Sequence, residues 1–194
     1  MRSKGFVVGV GSSRERWVGR GARGTGGARR WGAGKAGEQV GSLGVNGRAG
    51  GAEGDRNAPL GYVRRNQVDA KGVRFGCGTG NCGACTVISG AHAQQSCTVP
   101  NWSVADQEVI TAEGLTQHPV GAVVLRAFID EQAAQCGYCI NGILVSLTAL
   151  LQKNARPDDA ALRECLNRHL CRCGTHLRIL RAAKTAISRL GKRE

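Results

Sequence analysis

The chain has 194 residues, of which 41% are hydrophobic but only 4% aromatic, enough for one ordinary domain or two small ones around a mostly aliphatic core. No apolar run approaches the ~20 residues a membrane-spanning helix needs, so no membrane span is expected. The formal charge of +13 invites a nucleic-acid partner, yet residues 1–42 hold nine Lys and Arg against two Glu, a net of +7, whereas residues 43–194 hold eighteen against twelve.

Residues 1–42 also carry twelve of the thirty glycines and no apolar periodicity. Such a head buries too little surface to offset its ordering entropy, so disorder is expected there. GRGARGTGGARR (19–30) loosely resembles RNA-binding tails of the RGG type. Arg29-Arg30 lacks the apolar stretch of a twin-arginine export signal. The favoured reading is a solvated tail, or a start codon placed upstream of a true start at Val40. Nucleic acid is not the expected partner.

Ordered-looking sequence begins near Ser42. LGVNGR (43–48) predicts a strand entering a tight turn at Asn46-Gly47. NAPLGYVRRN (57–66) predicts a short helix, with Asn57 as cap and Pro59 in the first turn. CTVIS (85–89) and AQQSCTV (93–99) read as a second hairpin, and EVIT (108–111) as a further strand. Past Gly114 the period becomes helical, with helices expected over 120–135, 140–154, 156–170 and 176–190. The third places Leu162, Cys165, Leu166 and His169 on one face. Four amphipathic helices on short loops read as an antiparallel bundle. The expected fold class is α+β, with an extension at 1–42, a cysteine-bearing α+β domain at 43–114 and a helical domain at 115–194.

All nine cysteines lie at or after residue 77. The odd count and the lack of a secretory leader argue against a disulfide framework and for reduced thiols in the cytoplasm. Cys77, Cys82 and Cys85 follow C-x4-C-x2-C, with Cys97 eleven residues on, which is plant-type [2Fe–2S] spacing. Gly76, Gly78, Gly80 and Gly83 let the chain wrap a cluster and bring backbone N–H groups to its sulfurs. Cys136-x2-Cys139 and Cys171-x-Cys173 form a second group whose spacing suits zinc, a redox pair or another cluster. Cys139 opens one expected helix, and Thr175 is expected to cap another. Both helix N-termini would then favour negative charge at the site, whether cluster or zinc tetrathiolate.

GCGTGNCGACTV, AAQCGYCINGI and LCRCGTHLRIL resemble the three signature stretches of the small iron–sulfur subunit of molybdenum hydroxylases, the xanthine oxidase family. The resemblance covers about residues 43–190. The variants within the second and third stretches are most similar to the branch that oxidises N-heteroaromatic rings such as nicotinate and isoquinoline. It implies a β-grasp, plant-type ferredoxin-like domain followed by an all-α four-helix bundle, and two [2Fe–2S] clusters. Cys77, Cys82, Cys85 and Cys97 would bind the first, and Cys136, Cys139, Cys171 and Cys173 the second. Gln135 and Cys173 would touch the molybdopterin cofactor of a large partner subunit. The implied function is relay of single electrons from that subunit's molybdenum to an external acceptor, a cytochrome c or a flavin subunit. The substrate would be an N-heteroaromatic ring or an aldehyde, and no catalytic residue is expected on this chain. The implied location is cytoplasmic, alone or held at a membrane through a partner. The alternative is a zinc- or cluster-containing nucleic-acid-binding protein led by its basic tail.

Cys165 is expected to be a core thiol, and His176 to serve capping or partner contact. His169 is expected to pack or be solvated, and His92 and His118 to lie in loops. Gly44 and Gly61 stand where the resembling subunits carry bulkier apolar residues, which predicts a weaker strand and helix.

Overall fold

Asn46 and Gly47 have φ of 52° and 76°, the left-handed pair a two-residue hairpin turn demands. They join β1 (Val40–Val45) to β2 (Arg48–Ala52) in the computed structural model, which describes residues 40–52 and 55–192. The strand thus includes residues 40–42, three positions ahead of the expected boundary. The Gly/Arg-rich stretch before it, GRGARGTGGARR included, lies outside the described residues.

Helix α1 (Leu60–Asn66) starts after Pro59 without a side-chain cap. Asn57, the expected cap, instead donates its backbone N–H to Asp55 Oδ1 at 2.8 Å. Strands β3 (Thr86–Ser89), β4 (His92–Gln95) and β5 (Glu108–Ile110) complete one sheet of order β2-β1-β5-β3-β4. Its central strand β5 is parallel to β1; every other pair is antiparallel. Leu60, Val63, Val73, Val87, Val104 and Val109 form a small core here with Cys85 and Cys97.

Gly61 does not merely weaken α1. Its N–H donates to the Ser96 carbonyl at 2.8 Å, and a Cβ there would stand 2.7 Å from Ser96 Oγ. Ser96 occupies the room a larger side chain would take. Likewise, the Glu108 carboxylate fills the space beside Gly44.

Four further helices follow: α2 (Pro119–Asp130), α3 (Ile140–Lys153), α4 (Asp159–Asn167) and α5 (His176–Leu190). Helix α2 stops five residues short of expectation because Gln132 turns left-handed, φ 48°, and Ala133 N–H closes onto the Phe128 carbonyl at 3.0 Å. His118, expected in a loop, is its cap: Nδ1 accepts from Gly121 N–H at 3.1 Å. His92 opens β4 and meets Lys153 Nζ at 2.9 Å.

Helix α3 is buried on nearly every side, as a central helix must be. Its Ile143, Val145, Leu147 and Leu151 are each worth roughly 1.5–3 kcal/mol when fully buried. Ile88 of β3 and Leu115 belong to the same apolar core as α2, α3, α4 and α5, so the sheet and the helices share an interior.

Helix α4 is shorter than the expected 156–170. Asp158 caps it, accepting from Ala161 N–H at 2.7 Å, and it ends at Asn167. His169 therefore leaves the face it was expected to share with Leu162 and Cys165. Removing the cap by Asp158→Ala is expected to cost about 1 kcal/mol, read as a shift in the urea unfolding midpoint at constant m.

Candidate metal centres

Gly78, Gly80 and Gly83 have φ of 73°, 77° and 71°, and these left-handed steps curl residues 77–85 into a loop. Gly76 serves differently: a Cβ there would stand 2.6 Å from Cys82 Sγ. Three amides point at sulfur. Cys77 N–H donates to Cys82 Sγ at 3.3 Å, and Thr79 and Asn81 N–H donate to Cys77 Sγ at 3.4 and 3.2 Å. The Thr79 hydroxyl and the amides of Thr79, Asn81 and Cys82 hold Cys77, which is exposed, down to about 5, so it rests as a thiolate. Cys85 and Cys97 lie buried against one another, and burial pushes Cys85 up to about 11.

The second group gathers from three places. Cys136 precedes the left-handed Gly137 (φ 75°), Cys139 stands at the start of α3, and Cys171 and Cys173 precede the left-handed Gly174 (φ 76°) and α5. Cys136 meets Cys173 and Cys139 meets Cys171. The Tyr138 amide and the Cys173 thiol lower Cys136 from its ordinary value. Burial raises Cys139 to about 12. Burial also pushes Cys171 upward, but the Thr175 hydroxyl and the amides of Thr175, Cys173 and Gly174 outweigh it and bring Cys171 to about 6.

Thr175 makes no side-chain cap to α5, contrary to expectation; its hydroxyl lies 3.7 Å from Cys171 Sγ. The amide and hydroxyl donors at Cys77 and Cys171 are invisible in the cysteine spacing. The glycines beside the cysteines were the sequence signal for the backbone ones.

Among the described residues no three Cys, His, Asp or Glu side chains close around a single point as one ion's ligands would. Three thiol pairs meet instead, Cys85–Cys97, Cys136–Cys173 and Cys139–Cys171, while Cys82 Sγ accepts from the Cys77 amide. All nine cysteines are free of disulfides. This donor set fits a thiolate-bound binuclear centre in each group: two thiols would hold each iron, and the amides would neutralise part of the sulfur charge.

Cys165 is partly buried against Leu166 and the helical core, and burial raises it to about 11. It joins neither group. Cys165→Ser is expected to leave the iron content of the protein unchanged by elemental analysis; loss of iron would make it a ligand.

The two loops touch. Leu170 N–H donates to the Cys82 carbonyl at 3.0 Å, the Tyr138 hydroxyl donates to the Phe75 carbonyl, and Asn141 Nδ2 donates to the Gly72 carbonyl at 3.0 Å. Arg65, Lys71, Arg74, Phe75 and Tyr138 line a recess beside this junction. His169, 8% exposed, is buried beneath it, and burial holds it down to about 4, a neutral imidazole. Around the second group, Gln135 and His176 are exposed and Cys173 is half-buried. Leu170 and Leu177 present unusually exposed apolar side chains, at 72% and 76%.

Residues 111–184 match the family model described as "[2Fe-2S] binding domain". The chain is 45% identical over 145 residues to one of the subunits of nicotinate dehydrogenase from Pseudomonas putida, covering 75% of this chain and 92% of that protein. It is 45% identical over 139 residues to the alpha subunit of isoquinoline 1-oxidoreductase from Brevundimonas diminuta, covering 70% and 86%. Among solved structures it is similar to aldehyde oxidoreductase from Desulfovibrio gigas, with a TM-score of 0.72 and 31% identity, covering 81% of this chain but only 18% of that longer one.

Proposed function

Because this chain belongs to the family of small [2Fe–2S] subunits of molybdenum hydroxylases, we propose that it relays single electrons outward from the molybdenum centre of a large partner subunit through two clusters. The paired thiols carry this reading. Cys77 with Cys82, and Cys85 with Cys97, would each hold one iron of the first cluster. Cys136 with Cys173, and Cys139 with Cys171, would do the same for the second. Each [2Fe–2S] cluster, when bound, takes up one electron at a time, so two in series can pass on singly the pair released by a substrate oxidation.

The chain's own groups prepare both sites. Amides of Thr79 and Asn81 at Cys77, and the hydroxyl and amide of Thr175 at Cys171, favour the thiolate that iron requires. Cys85 and Cys139 lie buried with raised pKa values and would release protons as iron enters. The sheet order with its parallel centre supports a β-grasp reading for residues 43–114, and α2 to α5 support a four-helix bundle for 115–194.

The second group would face the large subunit. Exposed Leu170 and Leu177 supply apolar surface there, and exposed Gln135 and half-buried Cys173 would reach its molybdopterin. The first group would face the acceptor, a cytochrome c or flavin subunit: Cys77 is exposed, and the recess of Arg65, Lys71 and Arg74 suits an acidic partner edge. The names of the two 45%-identical relatives support an N-heteroaromatic ring as the substrate held by the partner. Free thiols support a reducing cytoplasmic location. No described helix is long and apolar enough to cross a membrane.

Iron and sulfide analysis with visible absorption tests the reading. A red-brown protein holding about four iron and four sulfide per chain is expected. A colourless, zinc-loaded protein that binds RNA would overturn it.

A further inference from the structure

The two thiol groups come from distant stretches of chain, and one backbone hydrogen bond joins their loops directly. Leu170 N–H donates to the Cys82 carbonyl at 3.0 Å, and Leu170 is bonded to Cys171. A continuous bonded route therefore runs from Cys82 sulfur through its carbonyl, across that hydrogen bond and along Leu170 to Cys171 sulfur. Electronic coupling decays far more slowly along bonds than across a gap. The length of that one contact therefore weighs heavily on electron passage.

The neighbouring His169 is placed to set it. Its imidazole is 8% exposed and packs where three backbones meet. Nε2 lies 2.8 Å from Ser146 Oγ on α3. Nδ1 faces Gly83, next after Cys82, and the Gly83 backbone hydrogen-bonds the ring and opposes part of the effect of its burial. A Cβ on Gly83 would stand 2.8 Å from His169 Cε1 and 2.5 Å from the Arg168 carbonyl oxygen, and one on Gly142 would overlap the Gly83 carbonyl. Glycine at 83 and 142 thus opens a slot only wide enough for the imidazole edge. An apolar side chain could fill that slot but could not tie α3 at Ser146 to the Gly83 backbone, so space-filling alone does not account for a histidine.

We propose that His169 is a positioning residue for electron transfer between the two centres: anchored on Ser146, its ring is wedged against Gly83 and holds the Cys82 carbonyl on the Leu170 amide. The step it serves is a one-electron exchange. The second centre is oxidised as the first is reduced; no bond forms or breaks and no proton moves. This inference rests on the two-cluster reading above.

The test uses the purified complex with its partner subunit. The wild type must first show two distinct [2Fe–2S] signals in electron paramagnetic resonance; their absence would sink the two-cluster reading itself. One electron per chain is then injected by flash photoreduction with deazaflavin, and its redistribution between the two signals is timed. His169→Ala is expected to keep its iron and both signals, yet slow redistribution at least tenfold and weaken the magnetic coupling between the reduced centres. Hydrogen exchange at the Leu170 amide should quicken in the same variant. His169→Gln, whose amide can still reach Ser146, is expected to recover most of the rate. Where His169→Ala fails to load iron, Ser146→Ala decides: it removes only the anchor, and a slowing of at least threefold is expected. Wild-type redistribution in whichever of these two variants loads both clusters would overturn the proposal.

Discussion

Cys82→Ser is expected to halve the iron of the purified chain, from about four to about two, and to erase one of two paramagnetic signals while sparing the other. Serine is a poor iron ligand because its hydroxyl, unlike a thiol, keeps its proton near neutral pH. Cys82 sits at a crowded point: its sulfur accepts from the Cys77 amide, lies against Gly76, and its carbonyl accepts from Leu170. The ligand is lost without a change of volume that would push these neighbours apart. Cys139→Ser is expected to do the reverse, removing the other signal. It should also cost more stability, because Cys139 is buried at the head of the central helix and the binding energy of a metal is folding energy where the site forms only in the folded chain. Loss of both signals in Cys82→Ser, with the fold intact by circular dichroism, would contradict the assignment of two separate groups.

Gly83→Ala is expected to be among the most damaging single-methyl changes in the chain, at about 3–5 kcal/mol. Two penalties add. The backbone at Gly83 is left-handed, φ 71°, which costs a residue with a Cβ roughly 1–2 kcal/mol. The new methyl would also meet the His169 ring and the Arg168 carbonyl, and a backbone carbonyl cannot swing aside as a flexible side chain would. Relief requires the 168–170 segment to move, which breaks the Leu170–Cys82 bond and displaces Cys171 with it. Both centres should therefore load poorly. Gly137→Ala separates the two penalties. Gly137 has a similar φ of 75° with nothing within 4 Å of its Cβ position, so only the strain of roughly 1–2 kcal/mol is expected. Chemical denaturation of the two variants side by side reads the difference directly. Equal losses would mean that the junction of the loops is softer than its packing implies.

The sequence determined both cysteine groups, the glycines that bend the chain around the first, the hairpin at Asn46-Gly47 and the four helical stretches. All of these are local: spacing and left-handed turns depend on a few consecutive residues, and helical period on one face. Helix ends were less legible. Gln132 ends α2 by a left-handed step that the apolar pattern runs straight through, and α4 gives up its last residues to the Leu170–Cys82 contact, made with a loop some ninety residues earlier.

Only the tertiary structure decided which thiol faces which, because pairing depends on how distant loops dock. It decided that His169 leaves the helical face suggested by its spacing and sits under Gly83. It also separated two adjacent arginines. In VRRN, Arg65 is exposed and donates to the Lys71 and Val73 carbonyls, each at 3.1 Å, whereas Arg64 is fully buried, its guanidinium lacks a hydrogen-bond partner, and burial lowers its pKa to about 10. Neighbours on a helix point about 100° apart, and the sequence does not record which direction meets solvent and which meets the core. That choice belongs to the packing of α1 on its sheet, as the pairing of the thiols belongs to the meeting of the two loops.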